Sequence, residues 1–184
     1  ELKNSVVFYD FSEIGKNVPN RLLGGFDDEF QGDMVPRVTY MGDPYSCAFS
    51  GKALTFFSSR NLASPELVEQ RAIDERIDSV FYSDEYAAAI VRNTTGEDGS
   101  RLEVCKKEGT HVLSKEFNFE YTNADLDGDL IILYNEDSCR IYNMSGTEKL
   151  DAAFDFPVSK IRKGRFPGTL VVTGPQQMRE LKLR

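Results

Sequence analysis

The residues whose types could do chemistry are the single histidine His111, the acidic run 25–33 (GFDDEFQGD), the run 123–129 (NADLDGD) and the cysteines Cys47, Cys105 and Cys139. A Ser-His-Asp or Cys-His device needs its imidazole in a pocket beside a nucleophile. His111 follows the turn Gly109-Thr110 at the start of an outer strand, with no G-x-S-x-G elbow in the chain, and reads as a surface histidine. Asp27, Asp28, Glu29 and Asp33 could suggest a metal site or a glycosidase, whose two acids must face one bond. Neighbours on a strand point to opposite faces, so the run reads as a solvated acidic edge. Asn123, Asp125, Asp127 and Gly128 match positions 1, 3, 5 and 6 of a calcium loop, but position 12 is Tyr134 where a bidentate Glu is required. That run reads as a strand entering a DG hairpin turn.

The cysteines are three, far apart and without C-x-x-C, which supports neither a disulfide framework nor a zinc site. Cys105 and Cys139 lie beside apolar residues and read as buried free thiols. No Gly-rich phosphate loop leads from a strand into a helix. Asn93-Thr94-Thr95 and Asn143-Met144-Ser145 match glycosylation sequons, which matter only in a eukaryotic secretory setting. The sequence therefore assigns no catalytic residue, no metal and no cofactor.

The elements that would position these residues are strands. Residues 121–156 read as four strands, 121–126, 129–135, 138–144 and 148–156, joined by turns at Asp127-Gly128, Glu136-Asp137 and Ser145-Gly146-Thr147. Sliding the chain by 37 residues lays 102–119 on 139–156: Val104 meets Ile141, Gly109 meets Gly146, Leu113 meets Leu150, Phe117 meets Phe154 and Phe119 meets Phe156. Residues 86–93 take the place of 129–135, and only the loop 94–100 (TTGEDGS) is longer. Four strands per period of about 40 residues is the signature of propeller blades.

The expected fold is all-β: WD40/PQQ-like β-propeller blades, four-stranded antiparallel repeats, forming a partial or half propeller within one domain over 1–184. Strands 3–11 and 21–30 make a partial blade (3–30), the second interrupted at Gly24-Gly25 by a bulge. Blades follow at 35–73, 77–119 and 121–156, then an incomplete three-stranded blade at 158–184. Residues 65–77 could also start a helix at Pro65; a strand is preferred because the repeat needs one. Two outer strands and three inner ones do not close a ring, so the open edges predict self-association or strands from a missing N-terminal half.

A net charge of −8 disfavours nucleic acid, which needs a concentrated basic face. The knot Lys160, Arg162, Lys163 and Arg165 reads as a solvated hairpin. No window reaches the ~18 apolar residues of a membrane helix. No signal peptide is present, and the start SVVFY already reads as a core strand, so an anchor or export signal is expected upstream. Propeller ligands sit on the face made by loops between blades and between each blade's second and third strands. Here those loops hold the candidate ligand residues Arg76, Asn93, Tyr121 and Asn135.

The stretches SVVFYDFSEIGKNVPNRLLGGF, VPRVTYM, IDSVFYSDEYAAAIV and GDLIILYNEDSCRIYNMSG resemble the C-terminal half of a bacterial, clostridial family known as domain of unknown function 5711. The resemblance spans nearly the whole chain and carries no catalytic residue. It implies a short cytoplasmic tail, one N-terminal membrane helix and an external propeller-like domain. The leading expectation is thus a non-catalytic extracytoplasmic binding or scaffold domain of a membrane-anchored protein, recognising a cell-wall, glycan or protein ligand. The alternatives are a glycan-active hydrolase or lyase with carboxylates near the channel, and an intracellular protein–protein platform.

Overall fold

The computed structural model describes residues 4–12, 15–16, 21–30, 32–92 and 99–183. Over them the chain is all-β and antiparallel, and each strand pairs only with its neighbours in sequence. A two-stranded sheet of β1 (Val6–Tyr9) and β2 (Leu22–Phe26) comes first. The second sheet holds β3 (Arg37–Tyr40), β4 (Tyr45–Phe49), β5 (Ala53–Ser58) and β6 (Glu66–Ala72). The third holds β7 (Ile77–Tyr82), β8 (Tyr86–Arg92), β9 (Ser100–Lys106) and β10 (His111–Phe117). The fourth holds β11 (Asn123–Asp127), β12 (Leu130–Tyr134), β13 (Ser138–Asn143) and β14 (Glu148–Ala153). β15 (Lys160–Lys163), β16 (Thr169–Thr173) and β17 (Met178–Lys182) end the chain as a three-stranded sheet. No helix among the described residues is long and apolar enough to cross a membrane.

The core lies between sheets, and two-residue periodicity sorts it. On β8, Ala87, Ala89 and Val91 face Met41, Phe49 and Phe56 of the second sheet. Their neighbours Ala88 and Ile90 join Leu102 and Val104 against Ile131, Leu133 and Tyr142 of the fourth. One sheet on, Leu130, Ile132, Tyr134 and Ile141 pack against Ile161, Leu170 and Val172. Second strands are therefore apolar on both faces, as the runs YAAAIVR and LIILY require. Outer β14 keeps the alternation of a half-solvated strand.

The ambiguous segment after Pro65 is strand β6, because pairing with β5 completes its sheet. The strand expected over 21–30 is shorter. β2 stops at Phe26, and Asp28–Phe30 forms a 3-10 turn that buries the Phe30 ring at 1% exposure. The irregularity in β2 skips Leu23, beside the glycine pair. Hairpin geometry needs glycine at Gly109 (φ 87°), where an added Cβ would come within 2.4 Å of the Glu69 Cβ.

Polar groups clasp successive sheets. The acids of β11 and of the turn after it meet the basic knot: Lys160 pairs with Asp125, Lys163 pairs with Asp129, and the Lys163 backbone N–H donates to Asp127 at 2.8 Å. Two of the four knot cations thus hold the last two sheets together rather than standing solvated. Asp33 of the acidic run accepts the backbone N–H of Lys52 at 3.1 Å and that of Met34 at 3.0 Å, closing a turn.

Candidate functional site

Asp78 lies at an irregularity of β7, where Ile77 opposes Val91 and Ser79 opposes Ile90. Such a bulge re-aims a side chain. Its Oδ1 accepts from Arg92 Nη2 of β8 at 3.0 Å, and its Oδ2 accepts from the Tyr121 hydroxyl at 3.1 Å. Tyr121 Oη also lies 2.8 Å from Ser79 Oγ. Burial holds the Tyr121 phenol above its usual range, and the Asp78 charge adds to the effect. A phenol kept protonated is a hydrogen-bond donor, not a nucleophile.

Tyr121 ends an alternating aromatic run. The rings of Phe117 and Tyr121 are 6.2 Å apart, and the Arg140 guanidinium lies 5.3 Å above Phe119. Segment 118–121 is tied to the fourth sheet along one edge. Arg140 Nη1 donates to the Asn118 carbonyl at 3.1 Å, and Asn135 Nδ2 donates to the Glu120 carbonyl at 2.8 Å. Asn135 Oδ1 accepts from Ser138 N at 2.8 Å and Asp137 N at 3.1 Å, fixing its own turn. Asp78, Arg92, Gly99, Ser100, residues 117–122 and Asn135 line a cleft of about 810 Å³. That volume suits a ligand site. The cleft opens at the ends of the third and fourth sheets that carry the β8–β9, β10–β11 and β12–β13 connections.

Of the four candidate residues, Tyr121 and Asn135 line this cleft. Arg76 is exposed and outside it, and its carbonyl accepts the Arg92 N–H at 3.2 Å. Asn93 lies outside the described residues, as does most of the long loop that follows it. Sequence reasoning missed Asp78, Arg92 and the aromatic wall. The alternation Phe117, Phe119, Tyr121 was a usable signal, whereas the β7 irregularity left no local one.

Other chemistry-bearing groups are held by neighbours. His111 Nε2 is 3.3 Å from Glu103 Oε2, in a network between the second and third sheets. Glu103 is 9% exposed at its side chain and accepts from Arg101 Nε at 2.8 Å and Ser114 Oγ at 2.7 Å. Arg101 also grips Glu75 through both terminal nitrogens, at 2.5 and 2.6 Å. That contact depresses the Glu75 carboxyl below its usual range. Ser114 donates to the carboxylate, not to the imidazole, so this is not a nucleophile–base pair. All three cysteines are free and buried. Burial raises the thiol of Cys105 to about 11 and that of Cys139 to about 12, and pushes Cys47 up as well.

Solved propellers share the arrangement. BamB from Moraxella catarrhalis aligns with a TM-score of 0.55 at 14% identity, over 82% of this chain and 47% of its own. Kluyveromyces marxianus Hsv2 aligns at 0.53 and 12%, over 88% and 49%. BBS1N, solved in complex with ARL6DN, aligns at 0.52 and 10%, over 88% and 55%. The chain thus spans about half the length of each, and at such identities the likeness is one of fold. Comparison with curated proteins finds no match. Residues 1–183 match the profile of a family of unknown function, DUF5711.

Proposed function

We infer that this chain, which belongs to the DUF5711 family of unknown function, is a non-catalytic binding domain that receives a protein partner in the cleft between its third and fourth sheets. One observation carries the reading: among the described residues the cleft offers no pair of free carboxylates to face a scissile bond. Both Asp78 oxygens are taken, by Arg92 and Tyr121, which leaves Glu120 as the single carboxylate of the described lining without such a partner. What remains open is an aromatic wall and an Arg92 side chain that is 70% exposed, a combination suited to recognition. BBS1N, of like fold, was solved with a protein bound, which favours protein over glycan. An extracytoplasmic position behind a membrane anchor belongs to the same proposal, motivated by the family resemblance, and surface proteolysis of intact cells tests it.

The deciding experiment places a photo-cross-linker at Thr122, on the cleft, and a second at Thr110, on the hairpin turn at the far end of the third sheet. A discrete protein adduct from Thr122 alone, lost in Arg92→Ala, is the expected result. Equal adducts from both positions, or none from Thr122, would sink the reading. A second copy is the competing partner, because one edge each of β1 and β17 pairs with no strand among the described residues, and Val7, Tyr9 and Leu22 are exposed on the first sheet. An adduct of this chain with itself from Thr122 would select that reading.

A further inference from the structure

We propose that the partner enters the cleft as an extended polypeptide and adds to the free edge of segment 118–121 as a strand; this deepens the binding role proposed above and rests on it. The segment behaves as a strand without belonging to a sheet. Its side chains alternate, with Asn118 and Glu120 exposed and Phe119 and Tyr121 half-buried against the core. In extended backbone, successive residues present their N–H and C=O groups to opposite edges. The carbonyls of Asn118 and Glu120 are taken by Arg140 and Asn135 of the fourth sheet. The peptide groups of Phe119 and Tyr121 therefore face the other way, and they have no hydrogen-bond partner among the described residues.

The internal repeat shows what such an edge takes. Val158 stands 37 residues after Tyr121, and its N–H donates to the Glu136 carbonyl at 2.7 Å. One repeat earlier, the corresponding N–H of Tyr121 has no partner among the described residues and lies beside a cleft. A run of unpaired donors and acceptors at residues i and i+2 is the geometry that accepts an added strand. Main-chain bonds would give affinity, and the rings of Phe119 and Tyr121 would offer an apolar contact for an alternate side chain. An N-acetylated glycan carries its N–H and C=O groups on pendant acetamides and not along a backbone with the two-residue alternation that would match this edge.

The test begins with a phage-displayed library of random linear heptapeptides panned on the whole domain. Enriched peptides should shift the amide resonances of residues 117–122 and protect the Phe119 and Tyr121 amides from exchange. Replacing Phe119 by its α-hydroxy acid keeps the ring and removes the N–H, and it also makes the Asn118 carbonyl a weaker acceptor for Arg140. It should weaken those peptides by roughly fivefold or more, the cost of one lost hydrogen bond, with the free domain still folding cooperatively. Failure to enrich any peptide, amide shifts confined to another surface, or affinity unchanged within about twofold by the ester would each overturn the proposal. If the adduct from Thr122 still depends on Arg92 while the ester has no effect, protein binding at the cleft stands and strand addition falls.

Discussion

Replacing Arg101 by methionine keeps the apolar stem and deletes a guanidinium that holds two carboxylates. Its contact with Glu75 is bidentate, but the side chains are 30% and 26% exposed, so solvent screening leaves the pair worth about 1 kcal/mol. Glu103 is different. Its side chain is 9% exposed, and without the Nε–H donor its Oε1 keeps only the Ser114 hydroxyl. Stripping a donor from a buried carboxylate costs about 1–3 kcal/mol. The expected loss for Arg101→Met is therefore about 2–4 kcal/mol, read as a lowered urea midpoint at constant slope. Most of it should vanish when Glu103 is made neutral. In a cycle of R101M with E103Q, the double variant should be more stable than the sum of the singles implies, by about 1–2 kcal/mol. A loss under about 1 kcal/mol for Arg101→Met, or strict additivity in the cycle, would refute the idea that this cation compensates a buried charge between sheets.

Three further outcomes follow from the same geometry. Arg101 depresses the Glu75 carboxyl below its ordinary value of 4.5, so the folded state binds that proton less readily than the unfolded chain. That contribution to stability is present above about pH 4.5 and lost as pH falls through the lower folded value. Urea titrations from pH 7 to 3 should thus show the gap between wild type and Arg101→Met narrowing in acid, and a gap that widens there would be the wrong sign. Gly109→Ala should cost about 2–4 kcal/mol, since it combines a left-handed φ with a new atom 2.4 Å from the Glu69 Cβ. Gly146→Ala meets only side-chain ends, of Leu113 at 3.0 Å and Lys115 at 3.4 Å, and should cost visibly less by thermal melting. Finally, Cys105 and Cys139 are fully buried with thiols near 11 and 12, so a thiol reagent at pH 8 should label them at the global unfolding rate, and rapid labelling of the native protein would contradict their placement.

Period-two alternation and turn glycines are local signals, and they made the sheets readable. The run LIILY announced a strand covered on both faces, and the Gly109 and Gly146 turns fixed the hairpins on either side. The segment ending in Phe30 misled because its apolar spacing suits a strand equally well. What decides it is a pocket for the ring among Val6, Ala48 and Phe57, supplied by residues far away in sequence. The cleft was half legible. Tyr121 and Asn135 follow from where connecting loops must lie. Asp78 depends on a register irregularity and on partners 14 and 43 residues distant, which no window of sequence contains. The union of the acids of β11 and its following turn with Lys160 and Lys163 was hidden for the same reason: each run looked like a solvated charge cluster, and only stacking of the sheets brings them together.

Because every strand bonds only to its sequence neighbours, the molecule has an unusually direct relation to its own synthesis. Closing a hairpin spans few residues, so each sheet can pair as soon as its last strand leaves the ribosome. Its second face, however, must wait for the next sheet. On β8 that face carries Ala88 and Ile90, whose cover includes Ile131 and Leu133, roughly 40 residues downstream. At about 5–20 residues per second, the apolar face stands bare for several seconds in each round of elongation. The nascent chain is then a succession of briefly sticky surfaces, and the timing of chaperone engagement should carry the same period as the sequence.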